Sequence, residues 1–318
     1  MVERNPYFLI SVHLYLQRIT LLLSFLQLVL LTITVQAEPL HVTMLMAEEG
    51  GAYQEFAQSF TGAQQNILLT ISHGNEPLPE SNLIVAVGMK STVLAMNSAA
   101  PVLSVFVSKS GFDKLQRESL PHRDRQNFSA IYLEQPSKRQ VDLIAAALPE
   151  AKNIGLLYSS LSPDITNLRK AVAESRLMLR ENKVESPDSI SRDLQFILQK
   201  SDVLLAIPDA QIYNSMTMRN ILLSTYHGGI PLVGYSMPYV RAGALCAVFS
   251  TPQQFAVQAN SMIKQFVETG RLPSAQYATE FDVMVNQQVA RSLGIQIKET
   301  AALIRQIKSA AGSGGESK

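Results

Sequence analysis

The feature that most constrains this chain is a short apolar run, rich in Val, Ile and Leu, that keeps returning. From residue 40 onward it appears as Leu40–Met46, Ile67–Ile71, Leu83–Val87, Val102–Val107 and Phe128–Leu133. It continues as Ile154–Tyr158, Val203–Ile207, Pro231–Tyr235 and Leu245–Phe249. Runs that are apolar throughout, rather than at every second residue, suit strands buried on both faces. Such strands belong to parallel sheets covered by helices on each side.

Helical patterns fill the gaps. Ser137 caps a helix whose apolar face is Val141, Ile144, Ala145 and Leu148, and Pro149 stops it. Ser162-Pro163-Asp164 reads as a cap, a first-turn proline and an early acid, followed by Ile165, Leu168, Val172 and Leu179 on one face. Thr251 and Gln254 have the spacing of a capping box; Phe255, Ala259, Met262 and Phe266 then form a stripe that Gly270 closes. Asn286 caps a last short helix that ends at Gly294. Strands alternating with helices over this length predict an α/β protein of two doubly wound, Rossmann-like lobes with parallel sheets. Leu133–Ser137 suits a first crossover, Tyr235–Gly243 a return, and Gly270–Asp282 a third crossing. The expected division is 38–133 plus 236–278 for the first lobe, 134–235 plus 279–308 for the second, and 309–318 as a disordered tail.

The start of the chain reads differently. Ile19–Val35 carries no charge, a basic residue precedes it, and Val35-Gln36-Ala37 resembles a signal-peptidase site. Residues 1–37 are therefore expected to be a signal peptide directing export to the periplasm. An uncleaved anchor is the alternative, because the run is close to the minimum for a membrane span. No later run is long enough to span.

Several function classes fall away. A net charge of +1 offers no field for nucleic acid. The single cysteine, Cys246, cannot form an internal disulfide, and the histidines lack metal-ligand spacing. Gly88-Met89-Lys90-Ser91-Thr92 lacks the upstream glycine of a phosphate-binding loop. Gly234-Tyr235-Ser236-Met237-Pro238 imitates a nucleophile elbow until its last position. No metal, cofactor or catalytic residue is expected, and binding rather than catalysis is the reading.

In open α/β sheets, ligands bind beyond the carboxyl ends of strands. That rule selects Tyr53, then Gly88, Ser91 and Thr92, whose helix-start amides and hydroxyls suit an anion. It also selects Tyr158 and Ser159, Asp209 as a partner for an ammonium, Asn214, Tyr235 and Ser236. The tyrosines could wall a flat ligand. Each has a plainer role open to it, as packing residue or helix cap.

Several segments carry a resemblance. They include Val85-Ala86-Val87-Gly88, Asn127-Phe128-Ser129-Ala130-Ile131 and Leu148-Pro149-Glu150-Ala151-Lys152-Asn153-Ile154-Gly155. Ala206-Ile207-Pro208-Asp209, Gly243-Ala244-Leu245 and Ala290-Arg291-Ser292-Leu293-Gly294-Ile295 follow. In order and spacing the chain resembles ABC-transporter substrate-binding proteins of the group that includes tryptophan- and tyrosine-binding members, with the type I periplasmic-binding fold. The resemblance implies a small ligand, such as an amino acid or related carboxylate, held between closing lobes and delivered to an ABC permease. A periplasmic sensory or accessory receptor without a dedicated permease is the alternative. Two departures stand out. Residues 72–82, with two prolines and a glycine, cannot supply the helix that relatives carry there. The glycine-rich loop of the first crossover also reads here as Asp124-Arg125-Gln126-Asn127-Phe128-Ser129-Ala130.

Overall fold

The structure is a computed structural model that describes Thr20 and residues 39–61, 67–75, 77–119, 127–160, 162 and 165–313. Apart from Thr20, the leader expected over 1–37 lies outside the described residues. Among the described residues no helix is long and apolar enough to cross a membrane. From Leu40 onward the chain forms one compact unit built on two six-stranded sheets.

The first sheet has the order β11-β5-β4-β3-β1-β2. Its strands are β1 (Leu40–Leu45), β2 (Ile67–Ser72), β3 (Leu83–Val87), β4 (Val102–Val107), β5 (Phe128–Tyr132) and β11 (Gln276–Tyr277), all parallel. β3, β4 and β5 are buried along their whole length, as their unbroken apolar runs require. Helix α1 (Gly51–Thr61) covers one face together with a long helix, α9 (Pro252–Thr269). There Phe56, Phe60, Phe255, Ala259 and Met262 pack against Val42, Met44, Val85 and Val105. Helices α2 (Gly88–Ala95) and α3 (Lys109–Ser119) cover the other, where Phe112 stacks 4.4 Å from Phe128.

The second sheet has the order β12-β10-β9-β8-β6-β7. It is built from β6 (Asn153–Tyr158), β7 (Met178–Lys183), β8 (Val203–Leu205), β9 (Leu232–Gly234), β10 (Cys246–Phe249) and β12 (Asp282–Val285). Five strands are parallel and β12 runs antiparallel to β10. Its helices are α4 (Ser137–Ala147), α5 (Thr166–Ala173), α6 (Ile190–Leu198), α7 (Met218–His227), α8 (Met237–Ala242), α10 (Gln287–Ser292) and α11 (Thr300–Ser313). One continuous core fills this lobe, with Cys246 inside it and burial pushing its thiol up to about 12.

Four expectations need correction. The return crossover is not at Tyr235–Gly243. β10 pairs with β9 in the second sheet, so 236–249 belong to the second lobe and the chain returns at Ser250–Thr251. Pro238 and Gly243 mark the two ends of α8, a one-turn link between neighbouring parallel strands, and not a passage between lobes. The helix expected to carry Leu179 ends at Ala173, and Leu179 lies on β7; Pro163 and Asp164 are outside the described residues. β7 (MLRENK) escapes an apolar-run reading because it is an edge strand with polar residues. Finally, α11 runs to Ser313, five residues into the expected tail; 314–318 lie outside the described residues.

Two expected caps fall elsewhere, since Pro136 precedes α4 with no side-chain cap bond and Ile165, not Ser162, precedes α5; the following local expectations hold. Thr251 and Gln254 form the reciprocal capping box, with Gln254 N–H donating to Thr251 Oγ1 at 3.2 Å and Thr251 N–H to Gln254 Oε1 at 2.9 Å. Gly270 ends that helix at φ +70°, and Asn286 accepts from the amides of Gln288 and Val289. No helix occurs among the described residues between β2 and β3.

The crossings between lobes converge on Arg139. Its guanidinium donates to Gln135 Oε1 (2.5 Å), the Ala278 carbonyl (3.0 Å) and the Thr279 carbonyl (3.3 Å), and lies 4.3 Å from the Phe281 ring centre. Gln135 Nε2 in turn donates to Ser250 Oγ at 2.9 Å, and Ser250 Oγ to the Glu280 carbonyl at 2.6 Å. One side chain thus ties the first and third crossings together, and Gln135 reaches the second. Burial lowers the Arg139 pKa, opposed by Glu280, which is the expected cost of desolvating a cation.

Candidate functional site

A cavity of about 330 Å³ opens between the lobes. The first lobe contributes Lys109, Asp113 and Arg117 of α3, with Tyr277 of β11. The first crossover contributes Glu134 and Gln135. The second lobe contributes Ser137 and Gln140 of α4, Asn167 and Leu168 of α5, and Ile207-Pro208 after β8. These positions follow the carboxyl ends of β4, β5, β6 and β8, where an α/β sheet leaves helix N-termini and loops open to a ligand. The volume lies near the lower end of small-molecule sites, about 300 Å³ and upward.

The local fold explains the first-lobe wall. β4 breaks register between Val105 and Val107, and Phe106 sits there at φ +58°. That backbone conformation is strained for a non-glycine residue, by roughly 1–3 kcal/mol. Packing offsets it: the Phe106 ring lies 4.4 Å from that of Phe255 and 5.5 Å from those of Tyr53 and Phe56. The bulge ends the strand and hands the chain to α3, whose first amide, Lys109 N–H, donates to Glu134 Oε1 at 2.6 Å. Lys109 Nζ pairs with Asp113 at 2.5 Å and lies 5.7 Å from the Tyr132 ring centre. Glu134 is 7% exposed, and its Oε2 is buried with no hydrogen-bond partner among the described residues. Burial raises the Glu134 pKa; its own backbone amide, the amide of Lys109 and the Lys109 charge pull it down, and Asp113 pushes it up. Burial, then Glu134 and Asp113, push Tyr277 up to about 12.

None of the ten residues selected from the sequence lines this cavity. They gather in two places. On the first lobe, Gly88 adopts φ +83°, and a Cβ there would fall 2.9 Å from the Tyr53 hydroxyl and 3.2 Å from Glu48 Oε2. Burial, then Glu48, raise the Tyr53 pKa. Ser91 Oγ accepts from the Ala47 amide at 2.9 Å, and Thr92 Oγ1 donates to the Gly88 carbonyl at 2.9 Å. Both hydroxyls are fully buried and committed within the protein. On the second lobe, Asp209 is 1% exposed. Its carboxylate accepts from Gln211 N–H (2.9 Å), Ser159 N–H (2.9 Å) and Ser162 Oγ, so three protein donors occupy it. Asn214 folds back on its own loop, donating to the Ala210 carbonyl at 3.0 Å and accepting from Met216 N–H at 2.9 Å. Tyr235 and Tyr239 share a 2.6 Å hydroxyl contact, and Tyr239 Oη donates to the Tyr213 carbonyl at 3.0 Å. Burial leads the causes that raise the Tyr235 pKa. Tyr158 packs half-buried on the second core, and Ser236 precedes α8 without a side-chain cap bond.

The residues selected from the sequence follow β1, β3, β6, β8 and β9, whereas the cavity residues Lys109 and Glu134 follow β4 and β5. Among the described residues no group of His, Cys, Asp and Glu could hold a metal ion.

Comparison with known proteins agrees with this architecture. A family model described as ABC transporter substrate binding protein matches residues 83–306. It begins at the first residue of β3, leaving β1, α1 and β2 outside it. Among solved structures, a substrate-binding protein with adhesive properties from Clostridium difficile, in its ligand-free, open form, is similar with a TM-score of 0.64 at 15% identity, covering 82% of this chain and 96% of that one. An ABC domain from Streptococcus pneumonia in complex with L-Trp is similar with a TM-score of 0.59 at 17% identity, covering 84% and 98%. A conserved domain protein from Vibrio cholerae gives 0.58 at 20% identity, covering 84% and 98%. Comparison with curated proteins returned no match. At these identities the likeness is one of fold, and the fold is the type I periplasmic-binding one.

Proposed function

The chain belongs to the family of ABC transporter substrate-binding proteins, and from that premise we propose that it is an exported receptor that closes its two lobes on a small polar solute and presents it to an ABC permease. The observation that carries this reading is the inter-lobe cavity, to which α3 and β11 contribute from one lobe and α4, α5 and the end of β8 from the other. A ligand touching both walls favours the closed arrangement by its differential affinity for it, and a permease can then read closure. The Arg139-centred crossings supply the pivot. In this reading the ligand meets the cavity residues, while Asp209, Tyr235, Tyr239 and the Tyr53–Gly88 contact hold the strand ends in place. Residues 1–37 direct the chain to the periplasm.

The test is a thermal-shift screen of amino acids and sugars, followed by small-angle scattering. A true ligand at 100 times its Kd adds about 2.7 kcal/mol of stability, and closure contracts the particle. No shift across the panel, with no compaction, would overturn the reading. A second reading, an accessory receptor without a permease, is favoured by one observation: no helix is described between β2 and β3, where the resemblance implies one. Copurification of a sensor or outer-membrane protein in place of a permease would support it.

A further inference from the structure

Glu134 is out of keeping with its surroundings. A carboxylate is buried at a cavity wall with one oxygen fixed by the first amide of α3 and the other matched by nothing described. Among the described residues no cation forms an ion pair with it. Lys109 sends its ammonium to Asp113 at 2.5 Å, and only its backbone amide reaches Glu134. An acceptor left unpaired away from water is costly, more so when it is charged, so proteins seldom keep one without a use. Tyr277 lines the same cavity and feels the Glu134 charge, its ring 5.2 Å from that of Tyr132. A carboxylate oxygen with aromatic rings nearby is the chemistry that selects a cation over a neutral hydroxyl. The charge satisfies the acid, and the ring quadrupole adds to the attraction.

We infer that Glu134 receives the protonated amine of the solute held in this cleft, with the Tyr277 ring beside it. This rests on the solute-binding reading given above. The lone oxygen is out of contact with solvent in the present arrangement, so the amine reaches it as the lobes adjust around the ligand. Arg117 lines the same cavity and offers a cation to an acidic group at the other end of a zwitterion. Glu134→Gln is the informative change. It keeps the acceptor for Lys109 N–H and the side-chain volume, and replaces the charged second oxygen with an amide NH2 that donates and cannot accept from an amine.

The experiment uses the purified full chain and two probe sets. One holds amines, the twenty amino acids and putrescine; the other holds neutral polyols, ribose, arabinose, galactose and myo-inositol. The expected result is that an amine binds best and that Glu134→Gln weakens it by about 10- to 100-fold. A wild-type measurement guards against a misfolded variant. The groups facing Glu134 are Lys109 and Asp113 on α3, Tyr132 on β5 and Tyr277 on β11. Both tyrosines are raised by burial and stay neutral, and burial raises the Glu134 carboxyl, so amine affinity falls as pH is lowered through the titration of that carboxyl, with proton release on binding in calorimetry. Equal amine binding by the wild type and Glu134→Gln sinks the role of Glu134 and leaves the solute-binding reading intact. So does a polyol as the best ligand. Silence from both probe sets overturns both.

Discussion

The two lobes treat their edge strands in opposite ways. In the second lobe the edge is β7, packed against both α5 and α6. It carries Arg180, Glu181 and Lys183; Arg169 of α5 grips Glu181 through two 2.8 Å bonds, and Arg180 reaches Asn153 at 3.0 Å. In the first lobe the edge is β2, Ile67–Ser72, with no charge at all, and β1 is the only element it packs on extensively. Leu68 and Ile71 remain 50% and 47% exposed. Charged side chains and covering helices are the usual protection of an edge, and among the described residues only the second-lobe edge β7 has them. The family match starting at β3 has the same asymmetry. The difference teaches that burial on both faces supports the central strands of each lobe, while the outer corner of the first lobe has less support among the described residues.

The sharpest way to break that comparison is through the cores. Ile84 on β3 and Leu204 on β8 are both fully buried central-strand residues. Truncating either to Ala costs about 2–5 kcal/mol. If the first lobe is the less supported one, Ile84→Ala lowers the first unfolding transition more than Leu204→Ala does; calorimetry that shows the reverse order removes the asymmetry. Next in size is Asp209→Ala. It removes the acceptor shared by Ser159 N–H, Ser162 Oγ and Gln211 N–H and costs about 1–3 kcal/mol without any ligand present; chemical denaturation measures it. Loss of ligand affinity at unchanged stability would instead put Asp209 back at the ligand.

Smallest is Leu68→Lys, which gives β2 a charge of the kind β7 already has. Stability should stay within about 0.5 kcal/mol, while turbidity on heating falls. Unchanged turbidity would mean the β2 edge is protected in some other way. Glu134→Gln supplies a pH test alongside these. Its carboxyl has a raised folded pKa, so the stability linked to it is fully present below the unfolded pKa and is lost as pH rises through the folded one. Removing the charge is therefore expected to raise the melting temperature at neutral pH and flatten that stretch of the profile.

Much of the fold was legible because burial writes itself into composition. Each of the nine apolar runs became a strand, the central ones because a strand covered on both faces tolerates little else, with the exposed edge β2 apolar all the same. The capping box at Thr251 and the αL glycine at 270 were legible because each is a contact between residues close in sequence. β7 was not, because an edge strand meets water and its partner strand supplies the pairing. The lobe assignment of 236–249 was not either: a short helix with a proline and a glycine looks the same whether it links neighbours or spans a gap.

Sequence by itself determined the two-lobed parallel scaffold, the absence of a helix between β2 and β3, and the class of protein the chain resembles. Only the tertiary structure decided which strand ends meet. Gly88, Ser91, Thr92 and Asp209 are polar strand-end residues, yet the fold spends them on internal contacts. Glu134 follows a strand just as they do, and its second oxygen has been left over. The physical reason is that hydrogen-bond satisfaction depends on neighbours distant in sequence: Lys109 lies 25 residues from Glu134, and Ser159 lies 50 from Asp209. No local pattern carries that information.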